Sequence, residues 1–308
     1  MKILLPAVLS ITPLLAFSQD STNSFLTGGI NTALTQGNIQ EYSKNYLDNA
    51  ADKWIEDSLS KYFSNTEISI KGVTSLEPTI GILTVKPIYE SKNLQDTIFM
   101  QGSLFSSDGK HTVNLGSGYR YMTPDESWLF GANVFYDQEF PINHQRTSIG
   151  LEARSSILEF NYNRYFALTG WKSTKTNLDE KVLDGRDLEF GVQLPYMPGS
   201  KIYHKTFKWD ALNGASDLKG TTTSISISGN ILINSLNLEI GKTNYNTLSS
   251  KEFIQITYKY PPEKKNRTKL FSDEMYSFSS MKEKRFEKVR RENLLVKQQS
   301  GRGTISFR

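Results

Sequence analysis

Apolar and polar residues alternate along most of the chain after residue 65. In 158–163, the sequence LEFNYN places leucine, phenylalanine and tyrosine at every second position. The same alternation recurs in 127–137, 147–154, 188–194, 236–240 and 254–260. Period-two alternation is typical of β-strands that have one apolar and one polar face. The pattern therefore predicts an all-β protein.

Turn signals divide this region into twelve predicted strands, which are 66–74, 79–89, 96–106, 111–122, 126–138, 145–155, 157–168, 186–194, 200–209, 221–230, 232–242 and 252–261. Their connectors differ in length, since Ser107–Lys110 forms a tight-turn sequence whereas 169–185 and 210–220 are long and polar. An even number of strands in an up-and-down meander is typical of an outer-membrane barrel. We therefore predict a twelve-stranded antiparallel transmembrane β-barrel over 66–262.

A soluble β-sandwich or lipocalin-like barrel would show the same alternation, with its apolar face inside. Several predicted strands reach 11–13 residues, which is long for a sandwich. Aromatic residues also fall near strand ends, where membrane barrels carry girdles at their two interfaces. The candidate girdle residues are Tyr119, Tyr121, Trp128, Tyr136, Tyr165, Trp209, Tyr258 and Tyr260. Packing in a core is the alternative for each aromatic side chain, but the set as a whole favours the membrane barrel.

Residues 1–18 have the pattern of a secretory signal peptide. A basic start precedes an apolar stretch, and the small residues Ala16 and Ser18 fit cleavage after Ser18. A membrane anchor is the competing interpretation, but the stretch is short and contains prolines. In 19–65, a polar leader precedes an amphipathic helix over 40–63, which we interpret as a packing helix rather than a membrane-surface anchor.

The strand pattern stops at Pro261–Pro262. We predict a helix over 274–292 and a short extended piece at Leu294–Lys297. The segment 263–308 carries 13 Lys and Arg against 6 Asp and Glu, whereas the rest of the chain carries 23 against 26. A basic tail can bind nucleic acid, but export makes that partner unexpected, and a solvated helix is the simpler interpretation.

The composition excludes several classes of function. The chain has no cysteine and only three histidines, which excludes thiol catalysis and leaves little material for a metal site. Its mean hydropathy is −0.44, with no long apolar run after the N-terminus, which excludes a polytopic helical membrane protein. No nucleophile elbow, phosphate loop or paired-cysteine motif occurs. We expect no enzymatic activity, no cofactor and no metal.

Charged residues on the polar face of the predicted strands would face the lumen, because on the lipid side each would cost about 2–4 kcal/mol near the midplane. The expected lumen residues are Arg120, Asp137, Glu152, Arg154, Glu159 and Glu189. They could cradle a basic pore linker or form structural ion pairs of the wall, and the two roles are compatible. The basic residues expected in that linker are Lys282, Lys284, Arg285, Lys288, Arg290 and Arg291.

Glycines recur on the same predicted face, namely Gly116, Gly118, Gly131, Gly150 and Gly191. Small residues there would make room for a segment inside the barrel, or would allow strong strand curvature. We favour the steric role.

A series of short motifs runs in order through 114–209. The pieces are NLGSGYRY (114–121), WLFGANVFYDQEF (128–140), SIGLEARS (148–155), YNRYFALTGWK (162–172), GRDLEFGVQLPYMPG (185–199) and YHKTF (203–207). This stretch resembles the β-domain of the inverse autotransporters, the intimin/invasin group. More weakly, 51–63 resembles the family's helix ahead of the first strand, and 285–298 resembles the linker after the last one.

The resemblance implies a barrel in the Gram-negative outer membrane, with a pore linker and short tail in 263–308. In the family, a C-terminal passenger of immunoglobulin-like domains reaches the cell surface through the pore and adheres. Residues 19–65 are too short for the peptidoglycan-binding module of some members, and few residues follow the linker. We therefore expect an anchor and translocation domain with a missing or vestigial passenger, linked to adhesion only through that passenger.

The expected partners are outer-membrane lipid and the barrel-assembly machinery that inserts such proteins, and the surface of a host or neighbouring cell is a further candidate. Two other functions stay open. One is a general porin-like channel, and the other is a surface adhesin that acts through long loops such as 170–185.

Overall fold

The computed structural model describes residues 65–73, 78–174, 178–228, 235–260, 271–276, 278–300 and 305–306. The expected signal peptide and the predicted helix over 40–63 lie outside these ranges. The described strands are β1 (Thr66–Lys71), β2 (Thr79–Glu90), β3 (Asp96–Ser107), β4 (Lys110–Met122), β5 (Leu129–Phe140), β6 (His144–Arg154), β7 (Leu158–Ala167), β8 (Lys172–Ser173), β9 (Asp179–Val182), β10 (Gly185–Leu194), β11 (Met197–Trp209), β12 (Leu218–Ser228), β13 (Leu236–Tyr245), β14 (Lys251–Tyr260), β15 (Lys297–Gln299) and β16 (Ile305–Ser306). A 3-10 turn covers Lys282–Phe286.

Twelve of these strands close into one antiparallel barrel, which confirms the predicted fold. β7 pairs with β10, and β1 pairs with β14 to close the wall, with Ile70 opposite Ile256. The observed strand ends differ from the predicted ones by a few residues. At β13, for example, the strand continues three residues past its predicted end, to Tyr245, because that residue still pairs with Gly220 of β12.

The tight turn predicted at Ser107–Lys110 joins β3 to β4. Asp108 and Gly109 both have positive φ, at 47° and 67°. Two central residues with positive φ match the right-handed twist of the strands that they connect. This local requirement explains the Asp-Gly pair at that point of the sequence.

The two faces of the barrel are reversed relative to those of a soluble protein. Large apolar side chains lie exposed on the outer face along the middle of the wall: Ile98, Met100, Leu115, Val134, Ile149, Leu151, Phe190, Ile202, Ile225, Ile240 and Ile256. The buried inner face is mostly polar and includes Thr97, Gln101, Asn114, Asn133, Ser148, Asn161 and Gln193. An apolar outer band around a polar interior is the arrangement of an outer-membrane barrel. The soluble sandwich and the lipocalin-like barrel are therefore excluded.

The barrel has a proximal end, where β1 begins and β14 ends, and a distal end opposite to it. β8, β9, β15 and β16 form a separate four-stranded sheet. β8 and β9 belong to the long connection between β7 and β10, which lies at the distal end. Within the described ranges, no helix is long and apolar enough to cross a membrane.

Candidate functional site

The segment 281–297, which we call the linker, runs through the lumen from the proximal to the distal end. At the proximal end, the backbone N–H of Met281 donates to the carbonyl of Glu126 at 2.9 Å. At the distal end, Lys297 pairs with Val182 of β9. The linker's Met281, Val289 and Val296 each pack in a buried apolar cluster with residues of the barrel. The linker therefore spans the pore and is anchored at three levels.

The linker is extended over most of its length, so the helix predicted over 274–292 is wrong. Among the described residues of 274–292, only Lys282–Phe286 is helical, as a single 3-10 turn, and Glu287 already has extended backbone angles, φ −65° and ψ 148°. An α-helix satisfies its own backbone groups. In the lumen, side chains of the wall supply hydrogen-bond partners for the linker's backbone instead. The extended chain exposes its N–H and C=O groups to those side chains.

Five side chains of the wall donate hydrogen bonds to carbonyl oxygens of the linker. Arg120 donates to Arg285 and Glu287, Arg154 to Lys288, Asn163 to Arg290, Arg146 to Glu292 and Leu294, and Asn114 to Asn293. Two more accept from backbone N–H groups, Gln101 from Val289 at 2.8 Å and the Tyr165 hydroxyl from Glu292 at 2.7 Å. Buried backbone groups require partners, and here the wall provides them.

Asp137 of β5 is the most highly connected carboxylate of the lumen, and it is fully buried. Arg291 of the linker donates two hydrogen bonds to it, at 2.8 and 2.7 Å. Arg146 and Asn114 donate to the same carboxylate at 2.8 Å each. The Arg291 guanidinium also stacks over the Phe135 ring, 4.3 Å from its centroid. A bidentate arginine–carboxylate pair is among the strongest polar contacts in proteins.

Arg290 contacts a different part of the wall. Its guanidinium forms ion pairs with Glu189 of β10 and Glu239 of β13. It also lies over the Tyr203 ring, 3.7 Å from the centroid. The two adjacent arginines therefore bind carboxylates on separate strands, as expected for successive residues of an extended chain, whose side chains point to opposite sides.

The six expected lumen residues, Arg120, Asp137, Glu152, Arg154, Glu159 and Glu189, all lie buried inside the barrel. Arg120 and Arg154 both pair with Glu152, while Glu159 pairs with Lys201 of β11. The lumen therefore combines ion pairs within the wall and ion pairs with the linker. Their part in transport stays a prediction.

The expected linker residues differ in their contacts. Arg285 pairs with Glu90, and Lys288 pairs with Glu67 at 2.6 Å. Lys282 pairs with Glu126 in the proximal turn between β4 and β5. Lys284 lies in the 3-10 turn and is half-buried. The basic segment is thus held along its length, most tightly at Arg290 and Arg291.

A second cluster of charges joins the linker to the distal sheet. Lys297 forms ion pairs with Glu139 of β5 and Glu180 of β9, and Glu180 also contacts Lys110 at 3.3 Å and His144 at 3.5 Å. Burial by itself raises the pKa of the Glu180 carboxyl. The contact with His144 and the charges of Lys297 and Lys110 outweigh burial and lower this pKa to about 2. Glu180 is therefore a carboxylate at neutral pH.

The lumen glycines lie directly opposite bulky side chains on neighbouring strands. A Cβ at Gly118 would approach the Phe99 ring to 2.5 Å, and one at Gly191 would approach the Tyr203 ring to 2.5 Å. Gly116 lies in the same way under the Phe135 ring, whereas Gly131 faces Glu152 and Gly150 faces Asn133. The space left by the glycines is thus filled first by side chains of the wall, and several of those rings carry an arginine on their other side.

The candidate girdle residues separate into two groups. Tyr119, Tyr121 and Tyr136 are exposed on the outer face, and Trp128 and Tyr258 are half-buried. The assignment of Tyr165 and Trp209 to the girdle is wrong, because both face inward and pack against each other and Val296, with their ring centroids 5.1 Å apart and the rings tilted at 36°. Strand alternation is the reason, since Tyr165 shares the face of Asn161 and Asn163. Tyr260 is also buried.

Comparisons with known proteins agree with this architecture. The family model described as inverse autotransporter, β-domain, matches residues 17–293. This chain belongs to that family. Invasin from Yersinia enterocolitica is 26% identical over 216 residues, which cover 67% of this chain and 25% of invasin. Intimin from Citrobacter freundii is 27% identical over 176 residues, which cover 55% of this chain and 18% of intimin.

This inverse autotransporter β-domain spans a quarter or less of the length of these two relatives. A solved structure from work on the in-meso crystallization of membrane proteins matches with a TM-score of 0.65 and 20% identity, covering 78% of this chain and all of the other. That likeness supports the barrel fold. The family and the apolar outer band together place the β-domain in the Gram-negative outer membrane.

Several lumen residues of the β-domain were missed by sequence reasoning, and they include most of those that bind the linker's backbone: Gln101, Asn114, Arg146, Asn163 and Tyr165. Each continues the polar row of its own strand, so strand alternation contained the signal for them. Glu67 and Glu239, which pair with the linker, were missed in the same way. No cluster of His, Cys, Asp or Glu suited to a metal ion occurs among the residues that the structure describes.

Proposed function

We propose that this β-domain anchors and translocates a polypeptide across the outer membrane, and that the linker is the segment left in the pore. The observation that carries the proposal is the hydrogen bonding of the linker's backbone by wall side chains from one end of the lumen to the other. The proposed role is passive. It requires no catalytic residue and no cofactor.

In the proposed orientation, the proximal end faces the periplasm and the distal sheet faces outward. This agrees with short periplasmic turns and long outer loops in barrels of this class, since the longest connection, between β7 and β10, lies at the distal end. Residues 1–18 would direct export and be removed, and the barrel-assembly machinery would insert the β-domain. Adhesion, if the protein adheres, would belong to chain beyond the linker.

Location and orientation can be tested together. An epitope placed after Arg308 should bind antibody on intact cells, while the protein is found in the outer-membrane fraction and migrates differently on a gel with and without heating. An epitope placed before Thr66 should react only after permeabilisation. If the protein is found in the outer-membrane fraction but an epitope after Arg308 binds no antibody on intact cells, the proposed direction of threading is contradicted.

A general porin is the main rival, because the fold is a closed barrel. The buried linker predicts that the intact chain conducts few ions in planar bilayers. Regular stepwise conductance from the intact chain would favour the porin. Deleting 170–185 tests the loop-mediated adhesin, since unchanged adherence of cells expressing that variant removes this alternative.

A further inference from the structure

The contacts between wall and linker are of two kinds, which differ in what they recognise. Hydrogen bonds from Arg120, Arg146, Arg154, Asn114 and Asn163 reach backbone carbonyls, and Gln101 and Tyr165 accept from backbone N–H groups. Every residue other than proline presents both backbone groups. We call this set of contacts the backbone row. It does not depend on the side chains of the segment that it holds.

The second kind depends on which side chain the linker carries, and in the middle of the linker it is concentrated at Arg290 and Arg291. Arg291 is fully buried against the fully buried Asp137, and it also donates to Ser148 at 3.0 Å. Arg290 is largely buried between Glu189 and Glu239. Leaving one partner of such a buried pair without the other is strongly unfavourable, so these contacts strongly favour one position of the chain.

Sliding the linker affects the two kinds of contact differently. A shift by one residue reverses the direction of every side chain in an extended segment and turns both arginines away from their carboxylates. A shift by two residues restores the direction but moves each guanidinium about 6–7 Å along the pore. After a shift by two residues the backbone row finds another carbonyl or N–H group, whereas a shift by one residue turns these backbone groups away as well. The register of the linker therefore depends on the two arginines.

We propose that the lumen is a binding site for extended polypeptide of varied side-chain sequence, in which the Arg290–Arg291 pair is the stop that sets where the chain comes to rest. This inference rests on the proposed function, because it assumes that chain passes through the lumen before the linker settles there. It assigns to the pair a role that the other linker charges lack. The ion pairs of Lys282 and Lys288 lie closer to the proximal end and leave more of each lysine exposed, and those of Arg285 and Lys297 join the linker to the two ends of the barrel.

The absence of cysteine permits a direct measurement of register. Gln298 of β15 lies opposite Lys181 of β9, and the flanking hydrogen bonds place them in a pair whose Cα atoms are about 5.5 Å apart, which suits a disulfide. The full chain carrying Lys181→Cys and Gln298→Cys is the parent for the test. The initial rate of disulfide formation, under a mild oxidant in outer-membrane preparations, reports the fraction in register.

In this parent, Arg290→Gln with Arg291→Gln should slow disulfide formation about tenfold or more, because 1.4 kcal/mol already corresponds to tenfold, and should raise conductance. The control Lys282→Gln with Lys284→Gln removes the same charge from less buried positions and should change the rate less than about twofold. A variant with serine at Asn293 and Leu294 should keep the parent's rate, since the backbone row is intact.

Each variant is scored only when it fractionates with the outer membrane and shows heat-modifiable migration. If the double glutamine variant does not fold, Arg290→Lys with Arg291→Lys retains the charge but loses the bidentate fork and should still slow the reaction. A parental rate in whichever arginine variant folds overturns the stop, and loss of cross-linking in the serine variant overturns the side-chain independence. A folded parent that forms no disulfide at all contradicts the proposed function instead.

Discussion

At the scale of single residues, the lumen is organised by layers of glycine, aromatic ring and arginine. Gly116 lies under Phe135, which in turn lies under Arg291. Gly118, Phe99 and Arg120 repeat the arrangement on the neighbouring strands, with the guanidinium 4.3 Å from the ring centroid. The glycine lets the ring lie flat on the wall, and the flat ring presents its negative face to a cation.

Gly116→Ala should therefore destabilise the β-domain by about 1–3 kcal/mol, because the new methyl group overlaps the Phe135 ring and forces it from its position. Gly102→Ala is the matched control, since a Cβ there meets only Leu115 at an ordinary 3.7 Å. Urea titration of the protein folded in lipid vesicles measures the difference. Equal effects of the two substitutions would show that the position of the Phe135 ring does not depend on Gly116.

The distal contacts of Glu180 should respond to acid. Its pKa in the folded protein, about 2, lies below the ordinary value of 4.5, so its contribution to stability is complete above pH 4.5 and is lost as the pH falls toward 2. Protease accessibility of β15 should rise over that range. Glu180→Gln should remove this pH dependence.

Asp179→Asn, one position earlier on β9, is the control for that measurement and should leave the pH dependence in place. Asp179 bonds the hydroxyl of Ser173 in the neighbouring short strand rather than the linker's lysine. An unchanged acid response in Glu180→Gln would mean that other carboxylates, such as Glu139, hold Lys297 in place.

At the scale of the strands, successive residues face the lipid and the lumen in turn. Ile149 at the centre of β6 is half-exposed on the outer face. Ser148 beside it is buried, and its hydroxyl oxygen accepts a hydrogen bond from Arg291. The same rule explains why Tyr165 and Trp209 lie inside although they are aromatic and near strand ends. Position in the alternation decides the face, and residue type then decides how well the position is filled.

Ile149→Arg should destabilise the barrel by about 2–4 kcal/mol, because it places a charge near the middle of the lipid face. Gln145→Arg lies on the same face of β6 but close to the distal end, where the cost is about 0–1 kcal/mol. Urea titration in lipid vesicles again provides the comparison. Similar values for the two variants would contradict the assigned depth of β6 in the membrane.

At the scale of the whole molecule, closure depends on the pairing of the first and last barrel strands. β1 and β14 are joined in an unbroken register from Thr66 opposite Tyr260 to Lys71 opposite Gln255. Closure leaves no free edge, which a membrane-spanning sheet requires because lipid cannot hydrogen-bond exposed backbone groups. The linker then occupies the space that closure creates.

Ser69→Cys with Thr257→Cys should form a disulfide across this seam. Gly72 donates to the carbonyl of Ile254 at 2.8 Å, so Ser69 and Thr257 fall in a non-hydrogen-bonded pair with Cα atoms about 4.5 Å apart. The oxidised protein should be more stable by about 2–4 kcal/mol, and the heating temperature needed to change its gel migration should rise. Reduction should restore the parental temperature, and a disulfide that fails to form would contradict the seam.

Much of this molecule could be predicted from local pattern. Alternation is a property of neighbouring residues, so it revealed the twelve strands and placed Arg120, Asp137 and Glu189 on the polar face. The motifs of 114–209 added the family and the pore linker. The helix predicted over 274–292 failed because helical propensity describes a chain that must satisfy its own backbone, whereas here Arg146, Asn163 and other wall residues do so.

The sequence by itself therefore determined the number of barrel strands, the two faces of the wall and the basic character of the linker, since each follows from residues close together in the chain. Only the tertiary structure decided which charges meet, such as Arg291 with Asp137 from 154 positions away. It also decided that the linker is extended and rests with Arg290 between Glu189 and Glu239. Those outcomes depend on which strands face one another across a closed lumen, and closure is a property of the whole barrel.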